Sequence, residues 1–374
     1  MTSRERLLTV LRRQVPDRVP VSPDVSHMMP ARYTGKPFWE VFLNNNPPLW
    51  QAKLALASRF RFDLILDEPW GTSLDPSCAE RRVVSQDQEQ WVVEEITRTR
   101  KGNLTTCTVY YRNKSPWQAK PLITDPEKEL DSLLATLTDP WRGDLTEAQA
   151  IRKALGENGI MACDRPVPPA WWLYSRRRLD KSVLDFYDHP SLVEKAMNAY
   201  GEWALEWLKA TSERFHPDLV MFGGSVASMS VLSPTLYRRY ALPWLQKATA
   251  LARRYGVFTG VHMCGRSRAA LPLLAESGID LLEPLEAIPG GDVVLAEVKK
   301  QYGPCFCLKG NVNTFQTLAR GTPAEVEAEA RKVIEDAGEG GGLILSTGDQ
   351  TPVDTPEVNF VALINAATRY GVYA

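Results

Sequence analysis

Short apolar runs that end in glycine or polar residues recur along the chain, and amphipathic stretches separate most of them. The runs are 18–24, 62–68, 159–164, 218–224, 257–265, 279–286, 304–311 and 341–349. Apolar runs of this length that alternate with helical patterns indicate parallel strands joined by helices. The pattern therefore predicts an α/β fold, a (β/α)8 TIM barrel. A doubly wound open sheet is the alternative. No G-x-G-x-x-G motif follows the first run, which disfavours its dinucleotide-binding form.

Capping signals mark where several of the helices begin. In TPAEVEAEARKVIEDAG, Thr322 and Glu325 have the spacing of a capping box, and Gly338 follows the last apolar position. Thr2 and Glu5 repeat the capping-box spacing at the start of the chain. We therefore expect helices that begin directly after Thr2 and Thr322.

Residues 80–113 break the alternation of strands and helices. This stretch shows the period-two pattern of β-strands, with turn signals at 85–88 and 101–103. It predicts an antiparallel β-meander inserted after the second strand, over about 77–122. An insertion at that point would lie over the C-terminal face of a barrel. We predict one domain over 1–374 that contains this insertion.

Composition limits the function classes. The formal net charge is −1, so no nucleic-acid partner and no anionic membrane surface is expected. The chain has no run of about 18 apolar residues, so no membrane span is predicted. Its first residues, MTSRERLLTVLRRQ, are charged and amphipathic and lack the apolar core of a signal peptide. With six cysteines in a chain this long, we expect a cytoplasmic protein with reduced thiols.

His262 and Cys264 stand two positions apart at the end of the fifth apolar run. On an extended strand, residues i and i+2 point to the same side, so the imidazole and the thiol would face one point. Nitrogen and sulfur are the ligands that zinc prefers, usually three protein ligands with one position open in a catalytic site. The third ligand could be Glu283 or Glu286 after the next strand, or Asp349 after the last. The alternative is a buried histidine beside an inert cysteine.

Other polar and aromatic residues follow the predicted strands and form a candidate substrate site, because active sites of barrels lie at the C-terminal ends of the strands. Asn311 and Asn313 could bind a carboxylate or carbonyl group, or could satisfy their own turn. Trp171, Trp172 and Tyr174 could form the wall of a pocket. The remaining candidates are Asp67, Asp164 and Gln350.

Several long stretches, in order along the chain, resemble the uroporphyrinogen decarboxylase superfamily, and especially its methylcobalamin:coenzyme M methyltransferase-like branch. They include RERLLTVLRRQVPDRVPV, LSPTLYRRYALPWLQKATALARRYGVFTGVHMCG, KGNVNTFQTLARGTPAEVEAEARKVIEDAG and GGLILSTGDQTPVDTPEVNFVAL. The resemblance implies a (β/α)8 barrel in which the H-x-C of HMCG supplies two zinc ligands. It also implies that the zinc holds a thiol acceptor as thiolate. The methyl group would travel to or from a corrinoid, a methylcobalamin-type cofactor, on a partner protein.

Two departures from the resemblance bear on the activity. Methyltransferase relatives often have a cysteine ligand after the eighth strand, where this chain has Asp349. The decarboxylase has an arginine-rich N-terminal motif and a histidine in that last loop, and this chain has neither. Since a porphyrinogen bears many carboxylates, Arg32 and Arg165 alone would be too few partners.

The leading hypothesis is a methyltransferase with a zinc-type centre, acting between a small methylated donor and a corrinoid or thiol acceptor. Glu283 or Glu286 could protonate a leaving alkoxide. The alternative is a metal-independent decarboxylase of a tetrapyrrole or small carboxylated substrate, in which Asp67 or Asp164 stabilises a protonated pyrrole. A third possibility is a corrinoid- or tetrapyrrole-binding barrel without catalysis.

Overall fold

The computed structural model describes residues 1–68, 79–140 and 145–373. Within these residues the strands form two separate sheets. The strands are β1 (Leu64–Glu68), β2 (Ala79–Gln86), β3 (Gln90–Thr99), β4 (Gly102–Tyr111), β5 (Trp117–Lys120), β6 (Gly159–Pro166), β7 (Leu219–Gly223), β8 (Phe258–His262), β9 (Leu281–Glu283), β10 (Cys307–Val312) and β11 (Leu343–Thr347). Seven of them form a curled parallel sheet in the order β1-β6-β7-β8-β9-β10-β11. This is the sheet of a TIM-barrel-like α/β fold.

Helices connect successive strands of the parallel sheet, as the alternating pattern predicts. They are α1 (Ser3–Leu11), α2 (Met28–Tyr33), α3 (Phe38–Phe42), α4 (Leu49–Phe60), α5 (Pro126–Leu134), α6 (Leu145–Leu155), α7 (Pro168–Ala170), α8 (Leu179–Asp188), α9 (Pro190–Arg214), α10 (Pro234–Tyr240), α11 (Leu242–Arg254), α12 (Leu271–Ser277), α13 (Leu295–Tyr302), α14 (Pro323–Ala337) and α15 (Glu357–Tyr370). Both predicted capping boxes are present, at Thr2 with Glu5 and at Thr322 with Glu325. None of the helices in the described ranges is long and apolar enough to cross a membrane.

The segment 18–22 lies between the two edge strands of the parallel sheet. Val21 forms a parallel bridge with Leu345 of β11, and its carbonyl oxygen accepts a hydrogen bond from the backbone N–H of Asp63, 2.8 Å away. Asp63 is fully buried, and its carboxylate binds Arg6 at 2.7 Å and Arg18 at 3.0 Å. The first predicted strand is therefore a bridging segment, fixed to both edges of the sheet.

The interior of the curled sheet is apolar at one end and polar at the other. Helix α1 places Leu7, Val10 and Leu11 in one cluster with strand residues such as Ile160 and Cys307. The residues two or four positions further along several of these strands point to the same interior, and they are polar. These polar positions are Asp67, Asp164, His262, Glu283 and Lys309. Because side chains two apart share one face of a strand, the polar group lies at the C-terminal end of the strands.

The second sheet is antiparallel, with the strand order β2-β3-β4-β5, and it falls between β1 and β6 in the sequence. Its loop residue Ser115 contacts the barrel rim, with its hydroxyl 2.9 Å from Nε2 of His27. Trp91 of β3 also stacks on Trp39 of α3, with the ring centres 5.8 Å apart. Residues 77 and 78 of the predicted insertion lie outside the described residues, and the description of this sheet as an insertion stays a prediction.

Candidate metal centre

The three predicted metal ligands His262, Cys264 and Asp349 meet at the C-terminal end of the parallel sheet. His262 is the last residue of β8, Cys264 follows it by two positions, and Asp349 follows the end of β11. One ligand atom from each residue lies within 4.8 Å of the others. Nε2 of His262 and Oδ1 of Asp349 are 3.9 Å apart. Residues 87 positions apart in the chain thus share one point, because parallel strands end at the same edge.

Glu283 fixes the orientation of the His262 ring. Its Oε1 lies 3.1 Å from Nδ1 of His262, and its Oε2 contacts Nζ of Lys309. Because the carboxylate lies on Nδ1, the other ring nitrogen, Nε2, is the one that faces Asp349 and could bind a metal. A histidine that donates its other ring N–H to a carboxylate is the usual arrangement for a metal ligand.

The donor set fits a zinc ion. Zinc bonds to nitrogen, oxygen and sulfur are about 2.0–2.3 Å long, which in a tetrahedral site separates the ligand atoms by roughly 3–4 Å. The 3.9 Å between Nε2 of His262 and Oδ1 of Asp349 lies in that range. Glu283 and Glu286, the other candidates for a third ligand, bind other groups. Glu283 binds His262 and Lys309, and Glu286 accepts a hydrogen bond from the backbone of Gly265.

The Glu283–Lys309 pair carries charge into the sheet interior. Burial on its own would raise the pKa of Glu283, but the charge of Lys309 and the hydrogen bond from His262 lower it to about 2. Burial would likewise lower the pKa of Lys309, and the negative charge of Glu283 more than compensates and raises it. Both groups are therefore ionised across the physiological range.

Glu286 and Asp349 have the opposite tendency. Burial raises the pKa of Glu286, and the nearby negative charge of Asp349 adds to that effect. Burial also raises the pKa of Asp349, although the charge of His262 lowers it in part. Glu286 therefore holds a proton more readily than an ordinary glutamate does.

Asp67 and Asp164 end neighbouring strands, β1 and β6, and their environments differ. Oδ1 of Asp67 forms an ion pair with the buried Lys53 of α4 at 3.0 Å. Burial raises the pKa of Asp164 to about 6, and the charge of Asp67 contributes to the rise. The structure thus brings both predicted carboxylates to the same rim as the metal cluster, one paired with a cation and one whose pKa is raised by burial.

We expect Asp164→Asn to stabilise the fold at pH 7.5 by about 1–2 kcal/mol. The pKa of Asp164 is about 6 in the folded chain and about 3.9 in an unfolded chain. The folded state therefore binds more protons between these values, and stability rises as the pH falls through that window. Above pH 6 the folded state holds an unfavourable buried charge, which asparagine removes.

Urea denaturation at pH 4.5 and 7.5 measures this effect. The Asp164→Asn variant should gain stability at pH 7.5 and show a smaller difference between the two pH values than the wild type. Asp188→Asn, at an exposed position, is the matched control and should change neither. A loss of stability for Asp164→Asn at pH 7.5 contradicts the prediction.

The remaining predicted substrate residues lie in different settings. The amide of Asn311 is buried and donates to the carbonyl of Leu285 at 2.7 Å. Asn313 caps the following π-helical turn, since its side-chain oxygen accepts the N–H groups of Phe315 and Gln316. Asn313 therefore satisfies the backbone of its own turn, as the second interpretation of this residue predicts, and its side-chain oxygen is used there. Gln350 lies 2.8 Å from Nδ1 of His27 through its side-chain amide.

The aromatic residues after β6 do not act together. Trp171 and Trp172 are fully buried, the first stacked on Tyr200 and the second donating its indole N–H to Asp185. Tyr174 is 70% exposed. The two tryptophans are thus core residues, and the proposed pocket wall is reduced to Tyr174.

Lys309 and Lys53 belong to this polar rim, and sequence reasoning did not select them. Lys309 precedes Asn311 by two positions on β10, so the same parity that selected Asn311 also places Lys309 on the inner face. The sequence signal that could have identified Lys309 was the presence of a lysine within a strand that is otherwise mostly apolar. Lys53 lies on helix α4, where the sequence pattern did not indicate the direction of its side chain.

The fold and the site together define a TIM-barrel-like α/β protein with nitrogen, sulfur and oxygen donors at its C-terminal rim. The chain belongs to the uroporphyrinogen decarboxylase family, because the family model described as Uroporphyrinogen decarboxylase (URO-D) matches residues 163–370, more than half of its length. The matched region contains His262, Cys264 and Asp349.

Curated relatives of two kinds match the chain. Methylcobamide:CoM methyltransferase MtaA of Methanosarcina barkeri is 32% identical over 179 residues, covering 48% of this chain and 49% of the relative. Uroporphyrinogen decarboxylase of Thioalkalivibrio sulfidiphilus is 27% identical over 194 residues, covering 50% and 51%. The chain thus spans about half the length of the curated relatives it matches. A solved methyltransferase from Methanosarcina mazei shares the fold over 99% of both chains, with a TM-score of 0.69 and 21% identity.

Proposed function

We propose that this protein is a zinc-dependent methyltransferase that moves a methyl group between a small methylated donor and a corrinoid or thiol acceptor. The observation that carries the proposal is the cluster of His262, Cys264 and Asp349, with Glu283 on the far nitrogen of the imidazole. The similarity to methylcobamide:CoM methyltransferases supports the same reaction type. A corrinoid would be carried by a partner protein, and the protein would work in the cytoplasm.

In this proposal the scaffold is a (β/α)8 barrel that segment 18–22 completes. His262, Cys264 and Asp349 hold the zinc, which when bound would lower the pKa of an acceptor thiol or polarise a methyl donor. Glu283 stays ionised and orients His262. Glu286, whose pKa burial raises, is the better proton donor for a leaving alkoxide. Asp67, Asp164, Tyr174, Asn311 and Gln350 contact the substrate.

A decarboxylase of an acidic tetrapyrrole is less consistent with the rim. Such a substrate needs several cationic partners. Arg32 donates to the carbonyl of Val353 at 2.6 Å, and Arg165 lies over the ring of Trp207 at 4.2 Å. The ammonium groups of Lys53 and Lys309 form ion pairs with Asp67 and Glu283. These cations are already bound to protein groups.

Metal analysis and a methyl-transfer assay test the proposal. The purified protein should contain about one zinc ion per chain. It should also transfer methyl groups between free methylcobalamin and a small thiol, and a chelator should abolish the transfer until zinc is restored. A protein that binds no zinc, or whose turnover a chelator does not change, contradicts the proposal. Chelator-insensitive release of CO₂ from a carboxylated tetrapyrrole would favour the decarboxylase.

A further inference from the structure

Lys309 places an ammonium group inside the curled sheet, where charge is costly unless it is paired. It is the third residue of β10 and follows the fully buried Cys307 by two positions. Its side chain is 8% exposed, and its Nζ contacts Oε2 of Glu283, which is itself 13% exposed. The carboxylate that Lys309 contacts directly is therefore the one that touches His262.

Two carboxylates flank the imidazole of His262, and in the described part of the chain only that of Glu283 is paired with an ammonium group. Asp349 approaches Nε2 at 3.9 Å and belongs to the group of metal donors. Glu283 lies on Nδ1 at 3.1 Å and is outside that group. Asp349 has no ammonium partner among the described residues, whereas Glu283 is bound to Lys309 on the oxygen that does not face His262. Both oxygens of Glu283 are thus occupied by groups of the protein itself.

We propose that Lys309 is a positioning residue that keeps Glu283 on Nδ1 of His262 and prevents this carboxylate from becoming a metal ligand. The inference rests on the proposed function, since it concerns the same metal site. Three protein ligands then remain, and one coordination position stays open for the acceptor or the donor, as catalytic zinc sites require. Without the ammonium group of Lys309, the buried carboxylate of Glu283 would lack its cationic partner. It would then lie next to the metal ion and would be expected to bind it.

Cobalt(II) is a suitable probe, because the intensity of its visible absorption reports the coordination number. The wild type should give the intense spectrum of four-coordinate cobalt with a thiolate ligand. Lys309→Met should lower that intensity several-fold, because Glu283 would add to the three protein ligands and the solvent molecule at the open position and make the cobalt five-coordinate. The double variant Lys309→Met/Glu283→Gln should restore it, since a neutral amide is a poor ligand but still accepts the Nδ1–H of His262. Lys309→Arg, which retains the charge, should resemble the wild type.

Lys53→Met is the matched control, because it also removes a buried lysine from an ion pair at this rim. Its partner Asp67 does not bind His262, so the cobalt spectrum should not change. A Lys309→Met protein with bound cobalt and an unchanged spectrum overturns the inference and leaves the proposed function intact. A wild type that binds no cobalt or zinc overturns both.

The single variant Glu283→Gln decides the matter if Lys309→Met does not fold. When Glu283 is only a hydrogen-bond partner, this variant should keep the intensity of the four-coordinate spectrum, even though the metal binds more weakly. A change in that intensity would mean that Glu283 is a ligand in the wild type, and the inference would be wrong.

Discussion

Cys264→Ala should remove most of the bound zinc and lower the rate of methyl transfer by at least about 10³-fold, equivalent to about 4 kcal/mol of transition-state stabilisation. The reason is that Cys264 is the sole sulfur of the proposed donor set. With two protein ligands left, His262 and Asp349, the site falls below the three that catalytic zinc usually needs. The fold should persist, because Cys264 is only partly buried and lies beyond the end of β8.

Zinc content and methyl-transfer rate, measured on the same preparations, test this prediction. Cys305→Ala is the matched control, because Cys305 is an exposed thiol before the start of β10, at the opposite end of the sheet. It should retain zinc and activity. A Cys264→Ala protein with normal zinc content would assign the metal to other residues, and one with normal activity would exclude the cysteine from the chemistry.

Asp63→Ala should lower the free energy of unfolding by about 3–5 kcal/mol, the cost of removing one partner from a buried charge network. The fully buried carboxylate of Asp63 binds Arg6 and Arg18 and also accepts the backbone N–H of Val21 at 2.9 Å. The alanine variant leaves positive charge without its main partner and releases the segment that bridges the two edge strands.

Urea denaturation against a matched control measures the effect. Asp17 also binds Arg6, at 2.7 Å, but its side chain is 40% exposed. Asp17→Ala should therefore cost less than Asp63→Ala, because solvent screens the partly exposed carboxylate of Asp17 and Arg6 keeps its pairing with Asp63. Similar losses for Asp17→Ala and Asp63→Ala would mean that the bridging segment is held by its backbone contacts alone.

The sequence predicted the parts of this fold that depend on local patterns. Each of the eight apolar runs coincides with a strand or with the bridging segment, because burial on both faces requires such runs. The capping boxes at Thr2 and Thr322 depend only on residues three apart. The meeting of His262, Cys264 and Asp349 was predictable once the strands were parallel, because their C-terminal ends share one edge.

The parts that sequence reasoning missed depend on contacts between distant residues. Lys309 acquires its role from Glu283, 26 positions earlier in the chain and on a neighbouring strand. Trp171 and Trp172 were candidates for a pocket wall, since a run of aromatic residues has the same composition in a core as in a cavity. The choice between the two interpretations of Asn313 depends on the helical turn that it caps, which the sequence pattern did not predict.

The hydrogen bonds of His27 couple regions that are far apart in the sequence. Burial lowers the pKa of His27, so its neutral ring can accept from Gln350 and donate to Ser115 of the antiparallel sheet. Gln350 is the residue after Asp349. A movement of the antiparallel sheet away from the rim would therefore break the contact between Ser115 and His27 and remove one restraint on the residue next to Asp349, so that in the proposed zinc site the position of this sheet would influence the metal ligand.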